Sequence, residues 1–378
     1  MALTVNYIGK DIISEKRIVE AVSNEPTCAF VRIKIYNTSI VTPAFEGTNA
    51  PEIGTSDTFI FELNSIIRQF YETDFLDLTA TVGIGQDFPF VTGTLEELEA
   101  DGTVLSSSTI TLQYIWNISQ NIFDVVSFDS TDYDLGDTGT VNRKFSTSSP
   151  NVLQLVEGES LFLGINKFSN TLGNAKQRVV VESYDSAGSL TATDYITLTT
   201  RSYATVNYAL RNAVRITMES GVAYKLIYVA DVTGGTIRSE VKRVNNICNA
   251  RYVHLHWINE FGFQDAYYFK GEQIKELNTD TKIYSQARPV NPTTANQGLS
   301  VYDNTVREKW TLYTDSISQD TIKWLSKMYV AKKVAVEIDG NYFPAILDSS
   351  SLVYYRDING IYQIQIPIIF SNNTIGNH

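Results

Sequence analysis

Residues 251 to 270 read RYVHLHWINEFGFQDAYYFK. Tyr252, His254 and His256 alternate with Val253, Leu255 and Trp257, and a period of two places successive side chains on opposite faces of a strand. Asn259 to Gly262 then supplies a tight turn, with Gly262 taking the left-handed backbone conformation that other residues resist. Ala266 to Phe269 returns as a second strand, and Asp265 is placed to cap loop amides. Trp257, Phe261, Phe263 and Tyr267 gather aromatic area around this one hairpin. Aromatic burial and turn chemistry together account for every residue in it, so we read the segment as a structural motif in preference to a ligand site.

The same alternation recurs outward along the chain, at Phe30 to Tyr36, Leu76 to Val82, Ile110 to Trp116, Val179 to Ser183 and Tyr195 to Leu198. Turn residues punctuate these runs at Ala187-Gly188, Thr233-Gly234-Gly235 and Asp339-Gly340-Asn341, the last joining Val334 to Ile338 with Tyr342 to Leu347 in a hairpin. Helical spacing is confined to Leu63 to Tyr71 and to a stretch that starts at an N-cap, Ser318, and carries Ile322, Trp324, Leu325 and Met328. The expected fold is therefore mainly β: two β-sandwich (Ig- or fibronectin-like) domains and a smaller mixed α/β C-terminal domain. Polar stretches place the boundaries. Ser127 to Arg143 links a first domain, 1–128, to a second, 129–277, and a softer break near Asn278 to Asp280 opens the third, 278–378. Pro289 to Gly298 reads as an exposed loop.

With 43% hydrophobic and 19% charged residues the chain can bury real cores, and 22 Tyr and 18 Phe against 3 Met favour sheet. A net charge of −12 without any basic stripe argues against a protein that grips nucleic acid. The same charge suits a conduit that DNA slides through, and equally a protein that keeps apart from its neighbours. Cys28 and Cys248 fit neither a zinc site nor a disulfide scaffold, so free thiols are expected. The N-terminus lacks a signal-peptide pattern and no stretch reaches ~18 apolar residues. The expectation is a protein made and kept in the cytoplasm, or assembled there before release, with no membrane insertion.

Chemistry-bearing constellations are sparse. GxSxG, HExxH, GxxxxGK[ST] and a GxGxxG at a strand-to-helix turn are all missing, and Gly83 and Gly85 lack a third glycine. His254 and His256 share a strand face at a spacing that metal-binding strands also use, but no third ligand is evident nearby, so packing or hydrogen bonding is expected of them. Asp124, Asp129, Asp132, Asp134 and Asp137 lack the calcium-loop pattern and read as a solvated linker. Nothing singles out a pair of carboxylates for glycoside cleavage. No catalytic residue, cofactor or metal is expected.

At the hairpin the sequence resembles virion proteins of tailed phages and prophages of Bacteroidetes hosts, the crAss-like phages among them. Their signature, a strand ending Trp-Leu-Asn, then Gly, an aromatic, Asp and an aromatic closing strand, is met by Trp257, Ile258, Asn259, Gly262, Phe263, Asp265, Tyr267 and Phe269. The usual second glycine before the aromatic is absent. Phe59 to Phe70 and Trp310 to Phe370 are similar to further parts of the same family, the latter through Trp324-Leu325 and Tyr342-Phe343-Pro344. The resemblance implies a tail hub or ring component with no catalytic residues. Its partners would be copies of itself, other tail proteins, and DNA passing through the channel without specific binding. A carbohydrate-binding or host-adhesion module is the alternative, and a tail glycosidase a third.

Overall fold

A computed structural model of the chain describes residues 3–8, 18–36, 43, 45–53, 55, 57–63, 75, 82–84, 91–112, 130–133, 143–167, 177–198, 210–232, 235–247, 252–285, 299–331, 333–348, 353–356 and 362–370. Over those residues the fold is mainly β, with several antiparallel sheets and one short α-helix. The chain divides into two compact units. One comprises Met1–Thr147, Asn151–Asn246 and Ile258–Gln264, the other Ser148–Pro150, Ile247–Trp257 and Asp265–His378. Among the described residues no helix is long and apolar enough to cross a membrane.

In the first unit, β1 (Thr4–Ile8), β2 (Ile18–Val22) and β5 (Thr58–Glu62) pair in the order β1-β2-β5. Strands β3 (Phe30–Tyr36), β4 (Phe45–Asn49), β7 (Val91–Leu98) and β8 (Val104–Leu112) form a second sheet, ordered β4-β3-β7-β8. The alternation of β3 is the reason it sits where it does: Val31, Ile33 and Ile35 are fully buried in one apolar cluster with Val19, Ala21, Phe59, Phe61 and Leu95, which draws on both sheets. Each such side chain contributes roughly 1.5–3 kcal/mol on leaving water. Two further sheets complete the unit. One is three-stranded, β10-β13-β6, built from β6 (Val82–Ile84), β10 (Ser160–Lys167) and β13 (Leu210–Thr217). The other is five-stranded, β12-β11-β14-β15-β9, built from β9 (Val152–Val156), β11 (Gln177–Tyr184), β12 (Leu190–Thr197), β14 (Tyr224–Asp231) and β15 (Lys242–Ile247).

The second unit holds an eight-stranded sheet. Its strands are β16 (Val253–Ile258), β17 (Gln264–Phe269), β18 (Gln273–Ser285), β19 (Leu299–Tyr313), β20 (Val334–Ile338), β21 (Asn341–Leu347), β22 (Val353–Arg356) and β23 (Tyr362–Phe370). They run in the order β17-β16-β20-β21-β23-β19-β18, with β22 also paired to β23. Helix α1 (Gln319–Ser326) starts at Ser318, whose side chain accepts from the Thr321 amide, and buries Ile322, Trp324 and Leu325. Strands β20 and β21 meet at Asp339 (φ 50°) and Gly340 (φ 74°), a two-residue turn whose left-handed pair matches the strand twist. Asn341, expected in the turn, already pairs with Ile338 as the first residue of β21.

Residues 278–280, where a polar stretch suggests a break, lie inside the uninterrupted β18. Its side chains from Ile274 onward are all exposed, so polar residues there mark a solvated strand, the case a composition argument confuses with a linker. The hairpin expected to close a second domain shares its sheet with β18–β23, because β16 pairs with β20. The expected helix over Leu63 to Tyr71, the loop Pro289 to Gly298, Cys248, Gly85 and His378 lie outside the described residues, save Leu63 itself, as does most of Ser127 to Arg143.

On the outer face of β3, Glu96 of β7 takes both neighbouring cations: Lys34 Nζ donates to Oε1 at 2.7 Å and Arg32 Nε to Oε2 at 2.8 Å, with Glu46 also 3.3 Å from Arg32. Burial pushes the Glu96 carboxyl up, but the bonds from Lys34 and Arg32 outweigh it and hold it below the ordinary value. A depressed folded-state value adds stability that is present above the ordinary carboxylate range and is lost as pH falls through the folded value. Glu96→Gln should thus cost about 1 kcal/mol at neutral pH, and the difference from wild type should vanish in acid. Urea melts of both proteins at several pH values check this; a difference that persists in acid would place the effect in packing.

Candidate functional site

Seven buried residues make the tip of the β16–β17 hairpin, Ile258 to Gln264, and Asn259 organises it. Its side-chain oxygen accepts from the amides of Phe261 and Phe263, both at 3.0 Å, while its own amide donates to the Phe263 carbonyl at 2.7 Å. Its side-chain nitrogen donates to the Ser146 carbonyl at 3.0 Å. Gly262 sits at φ 71°, as its place in the turn requires. The capping expected of Asp265 is therefore done by Asn259, which precedes the turn and has the short side chain that reaches amides two and four residues on. Asp265 turns elsewhere: its Oδ2 accepts from the indole nitrogen of Trp324 at 2.7 Å, a buried bond into α1.

The aromatic residues expected to gather around the hairpin fall into two groups. Phe261 and Phe263 cluster with Ala213 and Tyr133, and Phe263 lies over Gly164 so closely that a Cβ there would overlap the ring. Trp257 and Tyr267 pack instead against Trp324, with centroids 5.3 and 5.9 Å away, and Phe269 meets Tyr267 edge-on at 5.0 Å.

Strand β16 is buried on both faces, which places His254 and His256 inside the protein, with side chains 5% and 0% exposed. Glu337 of β20, the cross-strand partner of His254, supplies the third polar group that was not evident in the sequence. His254 Nδ1 lies 2.6 Å and His256 Nε2 2.9 Å from Glu337 Oε2, and the two ring nitrogens are 3.0 Å apart. Tyr268 stacks on His254 at 3.9 Å and Tyr342 meets His256 edge-on at 4.9 Å, so both rings are held from the side. Burial pushes the Glu337 carboxyl up, but hydrogen bonds and charge from the two histidines prevail and hold it well below the usual carboxylate range. These three side chains carry the donor atoms suited to a cation. One clue to Glu337 was available: it is the single charged residue in the predicted strand Val334 to Ile338.

Asn259→Ala removes two amide acceptors and a donor from a buried turn and should cost about 3 kcal/mol. Guanidinium melts test it through the midpoint at unchanged slope, and a loss below ~1 kcal/mol would mean that the backbone holds the turn without the side chain. Compared with known proteins, the chain matches no family model and no curated protein.

Proposed function

We propose that the protein is a structural subunit of a bacteriophage tail, a hub, ring or baseplate-like component that oligomerises around the DNA channel and docks neighbouring tail proteins. The observation that carries this reading is the β18–β19 ribbon. Strand β23 pairs with β19 only over Lys309–Tyr313, whereas β18 follows β19 as far as Leu299. Beyond Lys309 the described residues pair only within the ribbon, which at ~3.3 Å per residue extends on the order of 30 Å. A two-stranded ribbon is marginal in water by itself.

Its far end bears exposed apolar side chains: Ile283 pairs across the strands with Val301, and Tyr284 and Tyr302 lie beside them, all 45–63% exposed. Apolar area at the end of such an arm favours burial against a neighbouring subunit. Closing a ring requires that contact to be heterologous, one face of the subunit meeting a different face of the next. The acidic balance suits a channel that passes DNA without holding it.

In this reading the β-rich chain is built from Ig- or fibronectin-like sandwich domains and a smaller mixed C-terminal domain, and the product resides in the virion tail after assembly in the host cytoplasm. The apolar cluster shared by the β1-β2-β5 and β4-β3-β7-β8 sheets supports the first sandwich. Exposed Tyr284 and Tyr302 favour a host-glycan-binding module as the second reading, which selective binding on a glycan array would promote.

Light scattering and negative-stain images of purified protein should show a closed oligomer. Ile283→Asp combined with Tyr302→Asp should weaken it by roughly 30-fold, about 2 kcal/mol at a central contact, without changing the far-ultraviolet circular dichroism. A persistent monomer, with no copy of the chain in virions by mass spectrometry, would sink the proposal.

A further inference from the structure

We propose that His254, His256 and Glu337 bind one divalent transition-metal ion of the zinc class, and that the ion pins β16 to β20. An imidazole nitrogen presents either a lone pair or an N–H in the ring plane, never both. His254 Nδ1, His256 Nε2 and Glu337 Oε2 form a triangle whose edges of 2.6, 2.9 and 3.0 Å are all hydrogen-bond lengths.

If both nitrogens carry protons, each donates to the carboxylate and the edge between the nitrogens sets donor against donor. If only one does, the other nitrogen's lone pair faces the carboxylate oxygen. With neither protonated, all three edges repel. Every tautomer therefore leaves at least one edge of like against like while Glu337 is ionised. A proton on Glu337 would relieve this only by splitting one N–H between two acceptors. A cation capping the triangle takes all three lone pairs at once.

Size and ligand type agree. Metal–nitrogen and metal–oxygen bonds of about 2.1 Å place neighbouring ligand atoms ~3.0 Å apart on an octahedral face and ~3.4 Å apart on a tetrahedral one. Two edges already have the octahedral spacing, and the third needs to open by a few tenths of an ångström. Two imidazoles with one carboxylate suit zinc and its first-row neighbours, whereas calcium and magnesium prefer oxygen alone. The site is also built in advance. Residues two apart on β16 share a face, Glu337 stands directly across from His254, and Tyr268 and Tyr342 fix the ring planes. Since the ligands lie more than 80 residues apart, the ion would tie the two strands together and restrict the unfolded chain.

The test uses the whole chain without an affinity tag, stripped with a chelator and then titrated with Zn2+ or Co2+. The expected result is equimolar uptake by elemental analysis, a raised Tm with zinc, and a visible ligand-field band with cobalt. Glu337→Gln and His256→Asn should each weaken uptake by at least ~10-fold and lose the rise in Tm. Because those variants alter buried residues and can fail to fold, nitrogen-15 spectra of the wild type give an independent readout. With only 3 histidines in the chain, zinc should move one ring's Nδ1 and another's Nε2. Stripped wild type that takes up neither ion, histidine spectra that zinc leaves unchanged, or folded variants that bind as well as wild type would overturn the site.

Discussion

Strand β16 is buried on both faces, so its histidines can find polar partners only inside the protein, while the buried Trp257 indole nitrogen has no hydrogen-bond partner among the described residues. That requirement organises much of the second unit. The two histidines on one face meet Glu337 and two tyrosines, and the opposite face turns Trp257 toward Trp324, whose own N–H is taken by Asp265. Such pairings do little for net stability, because each replaces bonds once made to water. Their effect is on specificity: removing one partner strands the other in a medium of low polarity, so the pairing of β16 with β20 is held to a single register.

The β18–β19 ribbon obeys the opposite condition. The side chains of β18 stay in water over most of its length, yet the ribbon carries Leu277, Ile283, Val301 and Tyr302 at 55–65% exposure. A protein that buries two histidines against a half-buried glutamate at one place while leaving branched apolar residues in water at another is arranged around contacts as well as around its own core. The sheet spans both situations, since β19 is paired to β23 at its buried end and to β18 alone at the other.

Local pattern made part of this fold legible. Phe30 to Tyr36 alternates without interruption, and β3 occupies those same residues with Val31, Ile33 and Ile35 inward. Ser318 followed by Ile322, Trp324 and Leu325 announced α1, and Asp339-Gly340 announced its hairpin, because a cap and a left-handed turn are each decided within a few residues. Composition misled where exposure and irregularity look alike: the polar run at 278–280 belongs to a strand. Asp265 misled differently, since nothing nearby in sequence shows that Trp324 competes for its carboxylate.

The sequence by itself determined the β-rich class, the hairpin at 252–269 with its turn at Asn259 to Gly262, and the shared face of His254 and His256, all of which follow from backbone periodicity and short-range sterics. Only the tertiary structure decided that β16 lies between β17 and β20, that Glu337 stands opposite His254, and that Asn259 caps the turn while Asp265 holds an indole. Strand order is set by which surfaces exclude water together, and residues more than 80 positions apart become neighbours only when the sheet has closed around them.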